Sequence, residues 1–176
     1  MLIEKTPISG VFVTSLQVIE DERGSFARTF CQQEFADAGV DLVIRQTNIS
    51  ANNQKGTLRG LHYQDDPHPD KKLVTCISGS IFDVTVDLRP QSPTYCQWYG
   101  LELSAENRKG LYIPPGCAHG FITLEDNAVL NYLMGEMYVG ELARGARWND
   151  PAFGINWPLQ PTTMNDRDAH YPDWKV

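Results

Sequence analysis

An all-β fold, a barrel or a sandwich, is what the patterning of this chain predicts. Three observations carry it. Short runs rich in Val, Ile, Phe, Tyr and Thr are separated by clusters of Gly, Pro, Asn and Asp, the usual punctuation between strands. One segment alternates with strict period two, and only one stretch reads well as a helix. In chain order, residues 10–16 form the first strand. Residues 25–30 form another, after the turn signal Asp21-Glu22-Arg23-Gly24. Residues 32–38 are the helix, ended by Gly39, which suits the left-handed conformation at a helix C-terminus. Residues 81–89 are the clearest strand. Phe82, Val84, Val86 and Leu88 fall on one face, and Ile81, Asp83, Thr85, Asp87 and Arg89 on the other. That second, largely polar face is expected either to meet solvent or to line a wet cavity in a small barrel. Residues 100–103, 111–113, 119–124 and 129–133 continue the series. From Trp157 onward the chain is rich in Pro and Asp and reads as a partly irregular tail.

The 176 residues contain no repeat, low-complexity tract or long linker. One domain over residues 1–176, with a core of its own, is therefore expected. The formal net charge of −7 argues against nucleic acid as a partner, which needs a broad basic surface. It does not weigh against a small anionic ligand, because such binding follows the local field. Lys71 and Lys72 are adjacent, and Arg23, Arg28 and Arg59 lie in or beside strand-like segments. The longest apolar runs are a few residues, so no membrane partner is expected. The first five residues lack the apolar region of a secretory signal. Cys31, Cys76, Cys96 and Cys117 are scattered without a CxxC pair. A cytoplasmic protein with reduced thiols follows, with Cys76 and Cys117 in the core.

Chemistry centres on two histidines. His62 lies in Arg59-Gly60-Leu61-His62-Tyr63-Gln64, and His119 in Pro114-Pro115-Gly116-Cys117-Ala118-His119-Gly120-Phe121. The spacing Pro114-x-Gly116-x-x-His119, preceded by Gly110, resembles the second signature of the cupin superfamily, β-barrels with a site in the mouth. Metal-binding cupins use an HxH pair, a following Glu and this later His. His62-Tyr63-Gln64 has no second histidine in place, and Glu125 falls outside the pattern. Two histidines without a third ligand in register make a poor metal site, so no metal is expected. His62 can instead act as a base, removing a carbon-bound proton that a neighbouring carbonyl acidifies. Its orienting carboxylate could be Asp166, Asp168, Asp83 or Asp87.

Read together, the ordered segments resemble one enzyme family. They are Asp21-Glu22-Arg23-Gly24, Leu58-Arg59-Gly60-Leu61-His62-Tyr63-Gln64, Phe82-Asp83-Val84-x-Val86-Asp87-x-Arg89, Leu103-Ser104-Ala105-Glu106-Asn107, the His119 segment and Trp148-Asn149-Asp150-Pro151. The family is that of the dTDP-4-dehydrorhamnose 3,5-epimerases, and the resemblance spans about residues 1 to 170. It implies a cupin jelly-roll (double-stranded β-helix) barrel with additional N-terminal strands and few short helices. It also implies cofactor-independent epimerisation at C3, C5 or both of a nucleotide-linked 4-keto-6-deoxyhexose, in deoxysugar biosynthesis.

By that resemblance His62 is the base, Asp168 its dyad carboxylate, Tyr132 the donor that returns a proton from the opposite ring face, and Lys72 the cation for the enolate oxygen. Substrate binding is implied for Arg23, Phe26, Arg28, Gln46, Asn48, Arg59, His119, Tyr138 and Arg167. Arg23 and Phe26 would reach a neighbouring subunit, in a homodimer that exchanges N-terminal strands. Gln46 and Asn48 would meet the base and nearby groups, Arg59 and His119 the sugar or phosphates, and Tyr138 would stack near the nucleotide. Arginine suits a diphosphate and an aromatic face suits a nucleobase.

The chain departs from the family pattern at four places. Arg28 stands for a glutamate, Ile49 for a histidine, Leu133 for a lysine and Met137 for an aromatic residue. These changes in the nucleotide-facing shell leave the nucleotide (dTDP, CDP or GDP) and the number of inverted carbons open. The alternatives are a C3-only epimerase, a 3,4-ketoisomerase or a non-catalytic sugar-nucleotide-binding cupin. Finally, Arg59 and His62 are three apart, so a regular strand would point them to opposite faces. A bulge or bend at Gly60 or Leu61 is expected to bring both into one cavity.

Overall fold

Alternation of small apolar and polar residues produces two antiparallel sheets in the computed structural model, which describes residues 1–175. Val176, the last residue of the expected domain, lies outside the described residues. The strands are β1 (Leu2–Lys5), β2 (Phe12–Ser15), β3 (Val18–Asp21), β4 (Gly24–Ala27), β5 (Gln46–Asn52), β6 (Leu58–Gln64), β7 (Lys72–Ser78), β8 (Ser80–Asp87), β9 (Trp98–Ser104), β10 (Lys109–Ile113), β11 (Cys117–Thr123), β12 (Ala128–Met134) and β13 (Ala143–Gly145). One six-stranded sheet runs β1-β2-β10-β7-β12-β5, and a five-stranded sheet runs β13-β6-β11-β8-β9. The hairpin β3–β4 forms a two-stranded sheet of its own. This is the jelly-roll cupin architecture that the resemblance implied.

The two sheets face each other across the main core. Val13, Val74 and Leu111 come from one sheet, and Ile81, Leu103 and Phe121 from the other. The outer face of the six-stranded sheet is covered by helix α1 (Gln32–Asp37), whose Phe35 packs on Leu73 and Tyr112. The outer face of the five-stranded sheet is covered by the segment after β13, through Ala146, Phe153 and Trp174. Cys76 and Cys117 are buried, and all four cysteines are free.

This layering decides the orientation of β8. Its apolar face, with Val84 and Val86, packs outward on the covering segment. Its polar face points between the sheets, where Asp83, Thr85 and Asp87 are fully buried. Solvent exposure, one of the two expected outcomes, does not occur. A buried carboxylate needs partners, and Asp87 has them from Arg89, Ser92 and Thr94.

Helix α1 ends as expected. Gly39 has a φ of +81°, its N–H donates to Ala36 O, and the Val40 N–H donates to Phe35 O. The strand expected over 25–30 is shorter, because residues 28–30 leave the hairpin to enter the helix. Strands β1, β3 and β5 carry no apolar period. In the tail, a short helix α2 (Asp166–Ala169) interrupts the irregular chain, capped by Asn165, whose side chain accepts from the Asp168 N–H at 2.7 Å. No described helix is long and apolar enough to cross a membrane.

The irregularity expected in β6 is present. His62 pairs with His119 and Arg59 with Phe121, so three steps on β6 oppose two on β11. Gly60 sits in the step with a φ of +133°, and its Cβ position would lie 2.5 Å from Gly120 Cα. The Gly60–Leu61 peptide is cis.

Candidate active site

Two chambers open beside one another between the sheets. The inner one, about 290 Å³, is lined by Arg59, His62, Lys72, His119 and Tyr132 among others. The outer one, about 520 Å³, is lined by Gln46, Asn48, His62, Lys72, Tyr138 and Arg167 among others. Asn48, His62, Lys72 and Met134 line both, so they mark the boundary. Arg59 and His62 thus share one cavity, as the bulge in β6 requires.

His62 projects from β6 with its side chain 43% exposed. Its Nε2 lies 2.7 Å from Oδ1 of Asp168, which is fully buried on α2. The other Asp168 oxygen accepts the Gly60 N–H at 3.0 Å. Of the four carboxylates open at the sequence level, Asp168 is therefore the partner of His62. Burial pushes its carboxyl upward. The His62 hydrogen bond and charge, the Gly60 N–H and Arg167 together outweigh that and hold it below its ordinary value. An ionised Asp168 accepts from Nε2, which fixes the tautomer and leaves the lone pair on Nδ1.

Asp83 serves the other histidine. His119 Nε2 lies 2.7 Å from Asp83 Oδ1, with both side chains nearly or wholly buried. The Tyr132 ring stands edge-on to the His119 ring at 5.9 Å. Burial, with a smaller effect from the Asp83 charge, pushes the Tyr132 phenol strongly up, so it stays protonated around neutral pH. Tyr132 and Lys72 belong to the six-stranded sheet and His62 to the five-stranded one. A sugar in the inner chamber would have an imidazole and a phenol approaching from facing sheets.

Around the rim, Tyr138 is 69% exposed, and its N–H donates to Gln46 Oε1 at 2.8 Å. Arg59 donates to Asn52 Oδ1 at 2.8 Å. The Arg167 guanidinium lies 5.6 Å above the Tyr171 ring. Three expected binding residues lie outside both chambers of their own chain. Arg23 is paired with Asp21, and Phe26 is 72% exposed on the β3–β4 hairpin. Arg28, with its side chain 63% exposed, bonds Glu34 on α1 at 2.9 Å. Leu133, expected in the nucleotide-facing shell, lines neither chamber. It packs in the cluster under α1, because adjacent strand residues point to opposite faces and Tyr132 takes the inner one. Ile49 and Met137 do line the cavity.

Sequence reading missed Asp70, which bonds Lys72, and Gln64, which bonds the loop carrying Tyr138. The spacing Asp70-x-Lys72, two residues apart beside a strand, is the signal that could have found the first. Among the described residues no group of three or more His, Cys, Asp or Glu side chains is arranged to hold a metal ion.

The sequence model of one protein family, described as dTDP-4-dehydrorhamnose 3,5-epimerase, matches residues 5–175. The chain belongs to the dTDP-4-dehydrorhamnose 3,5-epimerase family. Among its relatives, the dTDP-4-dehydrorhamnose 3,5-epimerase of Shigella flexneri is 43% identical over 171 residues, which covers 97% of this chain and 94% of that protein. The crystal structure of the Bacillus anthracis enzyme with TDP and PPi bound superposes with a TM-score of 0.95 at 35% identity, covering 98% of this chain and 99% of that one. The Legionella pneumophila family member, in complex with dTDP-4-keto-L-rhamnose, has a TM-score of 0.89 at 37% identity, covering 95% of this chain and 89% of that one.

Proposed function

We propose that this chain is an isomerase, a cofactor-independent epimerase that inverts C3 and C5 of a dTDP-linked 4-keto-6-deoxyhexose for deoxysugar biosynthesis. One observation carries the reading: a carboxylate-oriented histidine and a protonated tyrosine reach the same chamber from facing sheets. His62 Nδ1 removes the proton on the carbon next to the C4 ketone. The C–H electron pair becomes a C=C bond, and the carbonyl pair moves onto oxygen as an enolate. The Lys72 ammonium stabilises that charge. Tyr132 then gives its phenolic proton to the same carbon from the other side, and the C4 carbonyl re-forms with the configuration inverted. The imidazolium and phenolate exchange protons with solvent to reset.

The outer chamber suits the nucleotide, with Tyr138 for the base and Arg167 for the diphosphate. The ligands held by the Bacillus and Legionella relatives support dTDP over CDP or GDP. A homodimer in the cytoplasm belongs to the same reading. The hairpin that carries Arg23 and Phe26 joins neither main sheet, and Ile19 and Phe26 on it are 69% and 72% exposed. Insertion of that hairpin into a partner's outer chamber would cover both residues and bring Arg23 to the nucleotide.

The test is incubation with dTDP-, CDP- and GDP-linked 4-keto-6-deoxyglucose in D2O, followed by NMR. Deuterium at both C3 and C5 of the dTDP sugar is expected. Exchange at C3 alone would make the chain a monoepimerase. Tight binding without any exchange would leave a non-catalytic sugar-nucleotide binder.

A further inference from the structure

We propose that Asp70 is the positioning residue for Lys72, fixing its ammonium at the boundary between the two chambers. The proposal rests on the epimerase reading of Lys72. Asp70 Oδ2 lies 2.6 Å from Lys72 Nζ, with the two side chains only 11% and 7% exposed. Lysine is a point charge on a flexible four-carbon stem, so its position must be imposed by a neighbour. A carboxylate at this distance selects one rotamer. Asp70 is itself held, because its Oδ1 accepts the Gln64 N–H at 2.9 Å.

Gln64 makes that anchor rigid. It is 5% exposed, and its side chain ties the two loops flanking the outer chamber. Its Nε2 donates to Met137 O at 3.0 Å and to His68 O, while its Oε1 accepts the Val139 N–H at 2.8 Å. Gln64 lies two residues after His62 on β6. Base and enolate cation are therefore built on one frame.

The placement of Asp70 has no other chemical use in this site. Both its oxygens are occupied, so it is no base. It lines the outer chamber, where a carboxylate facing a diphosphate would repel it. Lys72 lines both chambers and so has two anions to choose between. The diphosphate carries more charge than the transient enolate. Without Asp70, the ammonium would turn toward the diphosphate and leave the C4 oxygen unsupported.

The test compares wild type, D70N, K72M and D70N/K72M in full-length protein, reading deuterium wash-in for kcat and dTDP affinity by calorimetry. Asparagine keeps the shape and the acceptor for Gln64 but loses the charge; D70S is the second variant should D70N fold poorly. D70N is expected to lower kcat on the order of tenfold to a hundredfold, the scale of a misplaced group at a reacting centre. It should bind dTDP as tightly as wild type or more tightly. In the K72M background it should change kcat by no more than about twofold, since it acts through Lys72. Unchanged kcat in D70N overturns the proposal, as does parallel loss of kcat and dTDP affinity, or an equal effect with and without Lys72. Normal exchange in K72M overturns it too. Absence of exchange in wild type removes the epimerase reading and this role with it; exchange in wild type and in D70N alike removes this role alone.

Discussion

His62 Nε2 stands 2.7 Å from Asp168 Oδ1 although 106 residues separate them in the chain. A second histidine–carboxylate pair, His119 with Asp83 at the same distance, sits beside it, because His62 and His119 are cross-strand partners on β6 and β11. Exposure separates the two histidines. The His62 side chain is 43% exposed and the His119 side chain 6%. A base that must pass protons to water needs the first environment, whereas the second suits a fixed polar wall beside Tyr132.

Replacing His62 by alanine removes the half-exposed imidazole that lines both chambers, the base of the proposed reaction. Deuterium wash-in should fall by roughly 10²–10⁴-fold, the usual contribution of a positioned general base. Affinity for dTDP, measured by calorimetry, should stay within a few-fold of wild type. D168N should give a smaller loss that does not add to H62A, because the carboxylate works through the imidazole.

Tyr132→Phe keeps the base and loses the donor. Proton abstraction should continue, with deuterium returning from the His62 side, so substrate becomes labelled while inverted product is scarce. NMR of the sugar ring distinguishes the two species. Inversion at the wild-type rate would assign the donor role elsewhere.

Asp87 predicts the acid limit of stability. Burial works against its ionised form, yet hydrogen bonds from Arg89, Ser92 and Thr94 outweigh it and hold the carboxyl at about 2, from an ordinary value of 3.8. A group depressed in the folded state stabilises fully above the unfolded value. It loses that contribution as pH falls from about 3.8 through about 2, some 2 kcal/mol in all. Urea midpoints measured from pH 6 down to pH 2 should fall over that window, and D87N should flatten the fall while lowering stability at pH 6.

Gly60→Ala should be costly. Its Cβ would stand 2.5 Å from Gly120 Cα and 3.0 Å from His119 O, both backbone atoms, at a φ of +133° that alanine rarely adopts. A loss of at least about 2 kcal/mol is expected, lowering Tm by roughly 4–8 °C in a chain of this size. The clash lies between β6 and β11, so wash-in should fall along with stability. A variant melting like wild type would show that the bulge is not essential to the sheet.

Legibility followed the direction each side chain faces. Strand β8 could be read because its two faces differ in polarity, yet the pattern alone allowed a solvent-facing or an inward polar face. Burial between the sheets decided that. Strand β5 could not be read, because it is an edge strand of mostly exposed polar residues with no apolar period to detect. Arg28 entered the expected substrate shell by resemblance, at a position where the family carries a glutamate. Within its own chain its guanidinium meets Glu34, a contact made by the chain turning into α1 that no local pattern displayed.

By itself the sequence determined the strand periodicity, the two histidine segments and the need for a break at Gly60 or Leu61. These are local properties, set by spacing along a few residues. Only the tertiary structure decided which carboxylate serves which histidine, that Tyr132 faces His62 from the other sheet, and that Asp70 holds Lys72. Those relations join residues far apart in the chain or set on different strands. They depend on how two sheets stack and where a late helix lands, which no local pattern encodes.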